Sequence, residues 1–176
     1  MKKITAKTTI KDLALIVCGA LKKNGIDAVL TGGAVVSIYT ENRYRSNDLD
    51  FISSASMKEI EEAIAAIGFA KNKGRYFTHP DTELFVEFPS PPLSVGDKPV
   101  REFNEITTRS GYLKLLTPTY CVMDRLAAFY FWNDRQSLEQ ALMVARTHPV
   151  DMKEIERWSK AEGMTAKFNE FSKMKE

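Results

Sequence analysis

Apolar residues recur along this chain at two different spacings, and the changes between them mark out its elements. Over residues 8–24, Ile10, Leu13, Val17 and Leu21 fall three or four apart, the period of one helix face, with Gly25 as the stop. Residues 27–31 form a short apolar run that reads as a buried strand ending on Gly32-Gly33, and residues 34–39 follow as a short helix. A polar loop over 41–47 carries Arg43 and Arg45 into a strand at 48–52, where Leu49 and Phe51 alternate with Asp48 and Asp50. Ser56, with Glu59 three residues on, is a capping box that opens a helix over 56–67, ended by Gly68. Two strands are expected near 75–78 and 83–88, joined by His79-Pro80-Asp81, while Lys71, Lys73 and Arg75 around Gly74 read as a solvated basic hairpin turn. The proline-rich segment 89–99 is a loop, and 112–116 is a last strand. Thr117 as N-cap and Pro118 at the first helical position introduce three helices over 120–132, 136–146 and 152–162. The charged tail from Gly163 is expected to be partly ordered at best.

This pattern predicts an α/β (α+β) protein: a mixed sheet flanked by helices over 1–116, followed by a C-terminal helical bundle over 117–176 that packs on it. A length of 176 residues suits one domain with a helical appendage, and 44% apolar with 27% charged residues excludes a disordered chain. The 25 basic and 23 acidic residues nearly cancel, leaving +2, so composition gives no push towards nucleic acid or an anionic membrane. No run approaches the ~20 apolar residues of a membrane span. Lys11 and Asp12 interrupt the first apolar stretch, which argues against a signal peptide and for a cytoplasmic protein. Cys18 and Cys121 lie in apolar helical patterns without CxxC spacing and read as buried thiols in a reducing compartment.

The chemistry concentrates between Thr31 and Ser53. Side chains at i and i+2 of a strand share a face, so Asp48 and Asp50 stand side by side, and paired carboxylates of this kind suit a hard cation such as Mg²⁺. Gly32 and Gly33, just before a helix, would let a backbone approach phosphates that the helix N-terminus favours. In the strand at 83–88, Leu84, Val86 and Phe88 share one face and Glu83, Phe85 and Glu87 the other. An acid in an apolar run needs a cation in compensation, which makes Glu87 the third candidate ligand and Glu83 its reserve.

The order Gly-Gly, Asp-x-Asp, acidic strand resembles the nucleotidyltransferase superfamily with the DNA polymerase β-like fold, in particular its small bacterial minimal and AbiEii-like members. Arg45-Ser46-Asn47-Asp48-Leu49-Asp50 fits the family's Arg-Thr-x-Asp-x-Asp with serine for threonine, and Glu87 matches its third carboxylate; the resemblance covers residues 25–90. Arg125-Leu126-Ala127-Ala128 matches the AbiEii-like Lys-Leu-x-Ala element with arginine for lysine, and Asn133-Asp134-Arg135 departs from the spacing that follows it. The resemblance implies a nucleoside triphosphate donor and two Mg²⁺ ions. One would be held by Asp48 and Asp50, the other shared with Glu87, which is also a candidate base. The departing pyrophosphate would rest on the Gly32-Gly33 backbone, Ser37 or Arg45. The acceptor would be a small molecule, a protein side chain or RNA.

Plainer readings stand beside these. The aspartates would also suit a turn at a strand start, Glu87 a salt bridge, and the glycines a tight turn. Arg43 and Arg45 would also suit a solvated loop, and Asp124, Arg125, Asp134 and Arg135 are helix ion pairs or cleft residues. The Phe129-Tyr130-Phe131-Trp132 cluster reads as core in preference to a base-stacking platform. His79 and His148 sit next to prolines in turns and receive no role. A catalytically silent binding module, such as a toxin–antitoxin partner, is the alternative function, and the bundle would also suit a homodimer.

Overall fold

The computed structural model describes residues 3–175. Helix α1 (Ile10–Lys23) starts where the Thr9 hydroxyl accepts the Asp12 N–H, and its apolar stripe is buried. The short strand β1 (Val29–Thr31) runs straight into α2 (Gly32–Tyr39), and β2 (Asp48–Ile52) returns antiparallel beside β1, pairing Thr31 with Asp50. Helix α3 (Met57–Ala65) carries the expected capping box, Ser56 and Glu59 satisfying each other's backbone N–H groups. A meander follows: β3 (Ala70–Lys73), β4 (Tyr76–His79) and β5 (Thr82–Glu87), the last lying parallel to β2 with Asp48 opposite Phe85 and Asp50 opposite Glu87. After the small ladder β6 (Ser94–Val95) with β7 (Lys98–Pro99), strands β8 (Phe103–Thr108) and β9 (Gly111–Leu116) complete the sheet.

The seven strands lie in the order β3-β4-β5-β2-β1-β9-β8. Parallel pairs β2·β5 and β1·β9 sit inside antiparallel edges, so the sheet is mixed. Leu49 and Phe51 of β2 are fully buried, and Phe51 stacks on Phe88, whose ring also meets Phe77 edge-on. These join Leu13, Val17 and Leu21 of α1 and Ile60 and Ile64 of α3 in one core cluster. The opposite face of β2 presents Asp48 and Asp50.

Helices α4 (Pro118–Trp132), α5 (Arg135–Thr147), α6 (Met152–Ala161) and α7 (Thr165–Lys175) form the C-terminal region, with α4 and α5 packed on α2. Thr117 and Pro118 open α4 as the sequence predicts. Cys18 and Cys121 are free, buried thiols, and burial pushes Cys18 up to about 11. Among the described residues, no helix is long and apolar enough to cross a membrane.

Three expectations need correction. The tail after Gly163 is the helix α7, because Phe168 and Phe171, one turn apart, are buried against the bundle despite their charged neighbours. Strands β3 and β8 escape sequence reading because they are largely exposed edges with no buried alternation. The 89–99 segment is a loop only in part: Trp158 Nε1 donates to Val95 O at 3.1 Å, and Glu162 Oε1 accepts the Asp97 N–H at 2.8 Å, which fastens the β6–β7 ladder to α6.

Phe171→Ala removes a fully buried ring from α7 and should cost about 3–5 kcal/mol. A urea titration should show this as a clear fall in midpoint, against a change within about 0.5 kcal/mol for the exposed neighbour Asn169→Ala. Equal midpoints for both variants would mean that the tail is not part of the fold.

Candidate active site

The register of three strands brings the site together. Thr31 of β1, Asp50 of β2 and Glu87 of β5 are direct partners across the sheet, and Asp48 lies two residues along β2 from Asp50. Residues opposite each other share a face, so Asp48, Asp50 and Glu87 occupy one strip of the sheet. The consequence is electrostatic. Burial, then the charges of Asp48 and Glu87, push the Asp50 carboxyl up to about 7, with Arg125 pulling the other way. A carboxyl raised this far by desolvation and like charge is poised for a cation or a proton.

Each neighbour of the pair has a local cause. Gly32 has φ +69°, a left-handed conformation that favours glycine, and a Cβ built there would lie 2.6 Å from Asp50 Oδ2. The missing side chain at 32 therefore makes room for the Asp50 carboxylate at the start of α2. The missing side chain at 33 makes room for Ser46 Oγ and the Tyr44 ring, 3.1 and 3.2 Å from where a Cβ would stand. Ser46 in turn donates to Asp48 Oδ1. Both glycines thus make room for the acidic strip and the residues beside it.

Two further candidates sit differently from expectation. Ser37 is fully buried; its hydroxyl donates to Gly33 O at 3.2 Å and accepts the Ser46 N–H at 2.9 Å. Those bonds leave it holding the loop before β2 instead of facing a ligand. Arg45 is exposed and lines a cleft of ≈ 560 Å³ with Thr9, Asn47 and Glu83. Glu83 stands at the far end of β5 from Glu87, so the structure does not bring the reserve acid to the pair.

The helical region supplies what the sequence left open. Arg125, in the middle of α4, donates through Nε and Nη2 to Asp124 Oδ2 at 3.0 and 2.6 Å and through Nη1 to the buried Gln140 at 3.4 Å. Burial alone would lower its pKa, but the charge and hydrogen bonds of Asp124 outweigh burial and hold it above the usual arginine value, and Asp50 adds to this. Arg125 and Asp124 therefore stand within electrostatic range of Asp50. Asp134 caps α5 by accepting the Ser137 N–H, and Arg135 pairs with Glu170 at the surface. The signal for the first pair was legible: two adjacent charges inside Cys121-Val122-Met123-Asp124-Arg125-Leu126-Ala127-Ala128, an otherwise apolar helix. Ser46 and Tyr44 carried no comparable signal, since loop residues declare their partners only in three dimensions. Of the aromatic cluster, Phe129 and Tyr130 are core as expected, whereas Phe131 and Trp132 are 45% and 83% exposed.

As for a metal, the donors are all oxygen, the class that suits Mg²⁺. Among the described residues no three His, Cys, Asp or Glu side chains stand together as a ready-made cage. Mg²⁺ does not ask for one, because it keeps several waters and takes one or two carboxylates plus substrate phosphates. Asp48 and Asp50 meet that requirement.

Because the folded pKa of Asp50 lies above the ordinary carboxylate value near 4, its proton-linked stability is fully present below about pH 4 and is lost as pH rises through about 7. Asp50→Asn removes this dependence. Relative to wild type, the variant should gain on the order of a few kcal/mol at pH 8 and much less at pH 5, read from urea midpoints at the two pH values. A wild type with the same pH profile as the variant would contradict the crowding of charge at Asp50.

No protein-family model matches the sequence, and no curated protein is similar to it in sequence. Solved structures do resemble the fold. An antigenic nucleotidyltransferase-like protein from Paracoccidioides brasiliensis superposes with a TM-score of 0.60 at 12% identity, over 80% of this chain and 77% of its own. The antibiotic-resistance factor ANT(2'')-Ia in solution gives 0.53 at 10% identity over 94% of each chain. Its crystal complex with adenylyl-2''-tobramycin gives 0.50 at 11% identity, over 88% of this chain and 94% of that one. This mixed α/β chain has a nucleotidyltransferase-like fold.

Proposed function

We propose that this protein is a Mg²⁺-dependent nucleotidyltransferase that moves a nucleoside monophosphate from a nucleoside triphosphate to a hydroxyl or phosphate of an acceptor. The observation that carries the reading is the strip of Asp48, Asp50 and Glu87, partnered across β2 and β5, with Asp50 raised to about 7 beside the start of α2. A sheet face that crowds negative charge in this way is unfavourable unless a cation joins it. The fold is shared with a protein whose complex contains adenylyl-2''-tobramycin, which supports an alcohol-bearing small molecule as the first acceptor class to try.

In this reading residues 1–116 are the catalytic core and 117–176 the helical region packed on it. Bound Mg²⁺ would neutralise charge that develops on the phosphates and the attacking oxygen. The protein's own residues position the reaction. Asp48, oriented by the Ser46 hydroxyl, and Asp50 would hold the cation. Glu87, next to Asp50, accepts the proton of the acceptor hydroxyl as it attacks the α-phosphorus. Arg125 supplies fixed positive charge on the side facing α4. The likeness to the AbiEii-like toxins is not needed for any of these roles.

Asp48→Ala and Asp50→Ala should each lower transfer by roughly 10²–10³-fold or more while the protein stays folded by circular dichroism. The assay follows pyrophosphate release and label transfer from each of the four triphosphates to a panel of aminosugars, RNA ends and the protein itself. Unchanged transfer in both variants would overturn the proposal. Metal-independent nucleotide binding, or none by folded wild type, would favour a silent binding module instead.

A further inference from the structure

The open side of α4 is a continuous stripe whose two ends differ in chemistry. Asp124, Arg125 and Ala128 are half-buried, and Phe131 and Trp132 are exposed, whereas Val122, Leu126, Phe129 and Tyr130 are buried on the other side of the helix. Positions 124/125, 128 and 131/132 fall three, four and seven apart, which places them above one another on one helix face. Charge stands at one end, two aromatic rings at the other, and a small residue between them. Among the described residues, these two rings are the large apolar side chains left exposed.

The direction of α4 relative to α2 says what lies over that stripe. Tyr39, the last residue of α2, donates from its hydroxyl to Leu116 O at 2.6 Å, just before α4 begins. At the other end of α2, the Asp50 carboxylate sits beside Gly32 and feels Arg125. The end of α2 thus lies at the residues just before α4, and the two helices pack on each other, so α4 runs back along α2. Trp132 lies seven residues past Arg125, about 10 Å further along the axis. The last turn of α4 therefore extends past the α2 N-terminus, at which the Asp50 carboxylate stands.

We infer that Phe131 and Trp132 form a ledge on which the base of the donor nucleotide stacks, with Ala128 leaving room for the ribose. This rests on the nucleotidyltransferase reading of Asp48 and Asp50. The reach of about 10 Å from Arg125 to Trp132 matches the span from the phosphates of a nucleotide across its sugar to the base. Stacking on an aromatic face is available to every base, so the ledge binds the donor without choosing it by hydrogen bonds. A core role is excluded by the exposure of Trp132, and a solvated surface role does not account for two neighbouring rings in line with the charged pair.

The test is calorimetric titration of Mg·ATP, Mg·GTP, Mg·CTP, Mg·UTP and Mg·tripolyphosphate into wild type, Trp132→Ala and Trp132→Phe. Tripolyphosphate carries the phosphates and lacks the base. Trp132→Ala should weaken the nucleotides by about tenfold or more and leave tripolyphosphate unchanged, while Trp132→Phe retains most of the affinity. Equal nucleotide affinity in Trp132→Ala overturns the ledge, as does an equal loss for tripolyphosphate, which would mark a general structural effect. Wild type that binds tripolyphosphate but gains nothing from a base also overturns it, leaving the reading of the acidic strip intact. Wild type that binds neither overturns both.

Discussion

Mutual repulsion among Asp48, Asp50 and Glu87 is the constraint around which the rest of the molecule is arranged. Strand pairing fixes these carboxylates on one strip, and the energy of that arrangement must be met by neighbours. Three devices meet it. Glycine at 32 lets one carboxylate come close to the positive end of α2, a serine hydroxyl binds Asp48, and the half-buried Arg125 of α4 lends positive charge to Asp50. None of these neighbours is adjacent in sequence to all of the acids, so the site exists only when the sheet and the helical region are assembled.

That assembly is tied at several places along its length. The Trp158 indole and the Glu162 carboxylate of the α6 region grip the β6–β7 ladder, and Lys98 pairs with Glu154 at 2.8 Å. The Tyr39 hydroxyl, which also accepts from Asn104 Nδ2, ties α2 to β8 and to the end of β9. These contacts hold the helical region and α2 against the sheet.

How much of this could be read from the sequence depends on the range over which each signal acts. Local signals were legible: the Ser56–Glu59 capping box, Thr117-Pro118 at the start of α4, and the alternation that puts Asp48 and Asp50 on one face of β2. That Glu87 pairs with Asp50 was foreshadowed, because an acid within an apolar run is conspicuous. Ser37 reads as a ligand in the sequence because its true neighbours, Gly33 O and Ser46 N–H, are backbone groups that no pattern of side chains reveals. Edge strands and α7 escape notice for a related reason: β3 and β8 bury little, and two phenylalanines in a charged tail form too short a pattern to stand out. Arg125 falls between these cases, visible as an oddity in an apolar helix but without a stated partner until Asp124, Gln140 and Asp50 are placed around it.

Lys167 of α7 donates to the carbonyl oxygens of Phe129 and Tyr130, each at 2.8 Å, and its ammonium lies 4.8 Å from the Phe129 ring centre. Carbonyls in the last turn of a helix have no partner within it, and a cation there also opposes the negative end of the dipole. The last turn of α4, which carries the exposed rings, is therefore propped by a residue from the far end of the chain. Mutational screens that treat a charged C-terminal helix as a neutral tag site would be loosening the last turn of α4 without touching any residue on it.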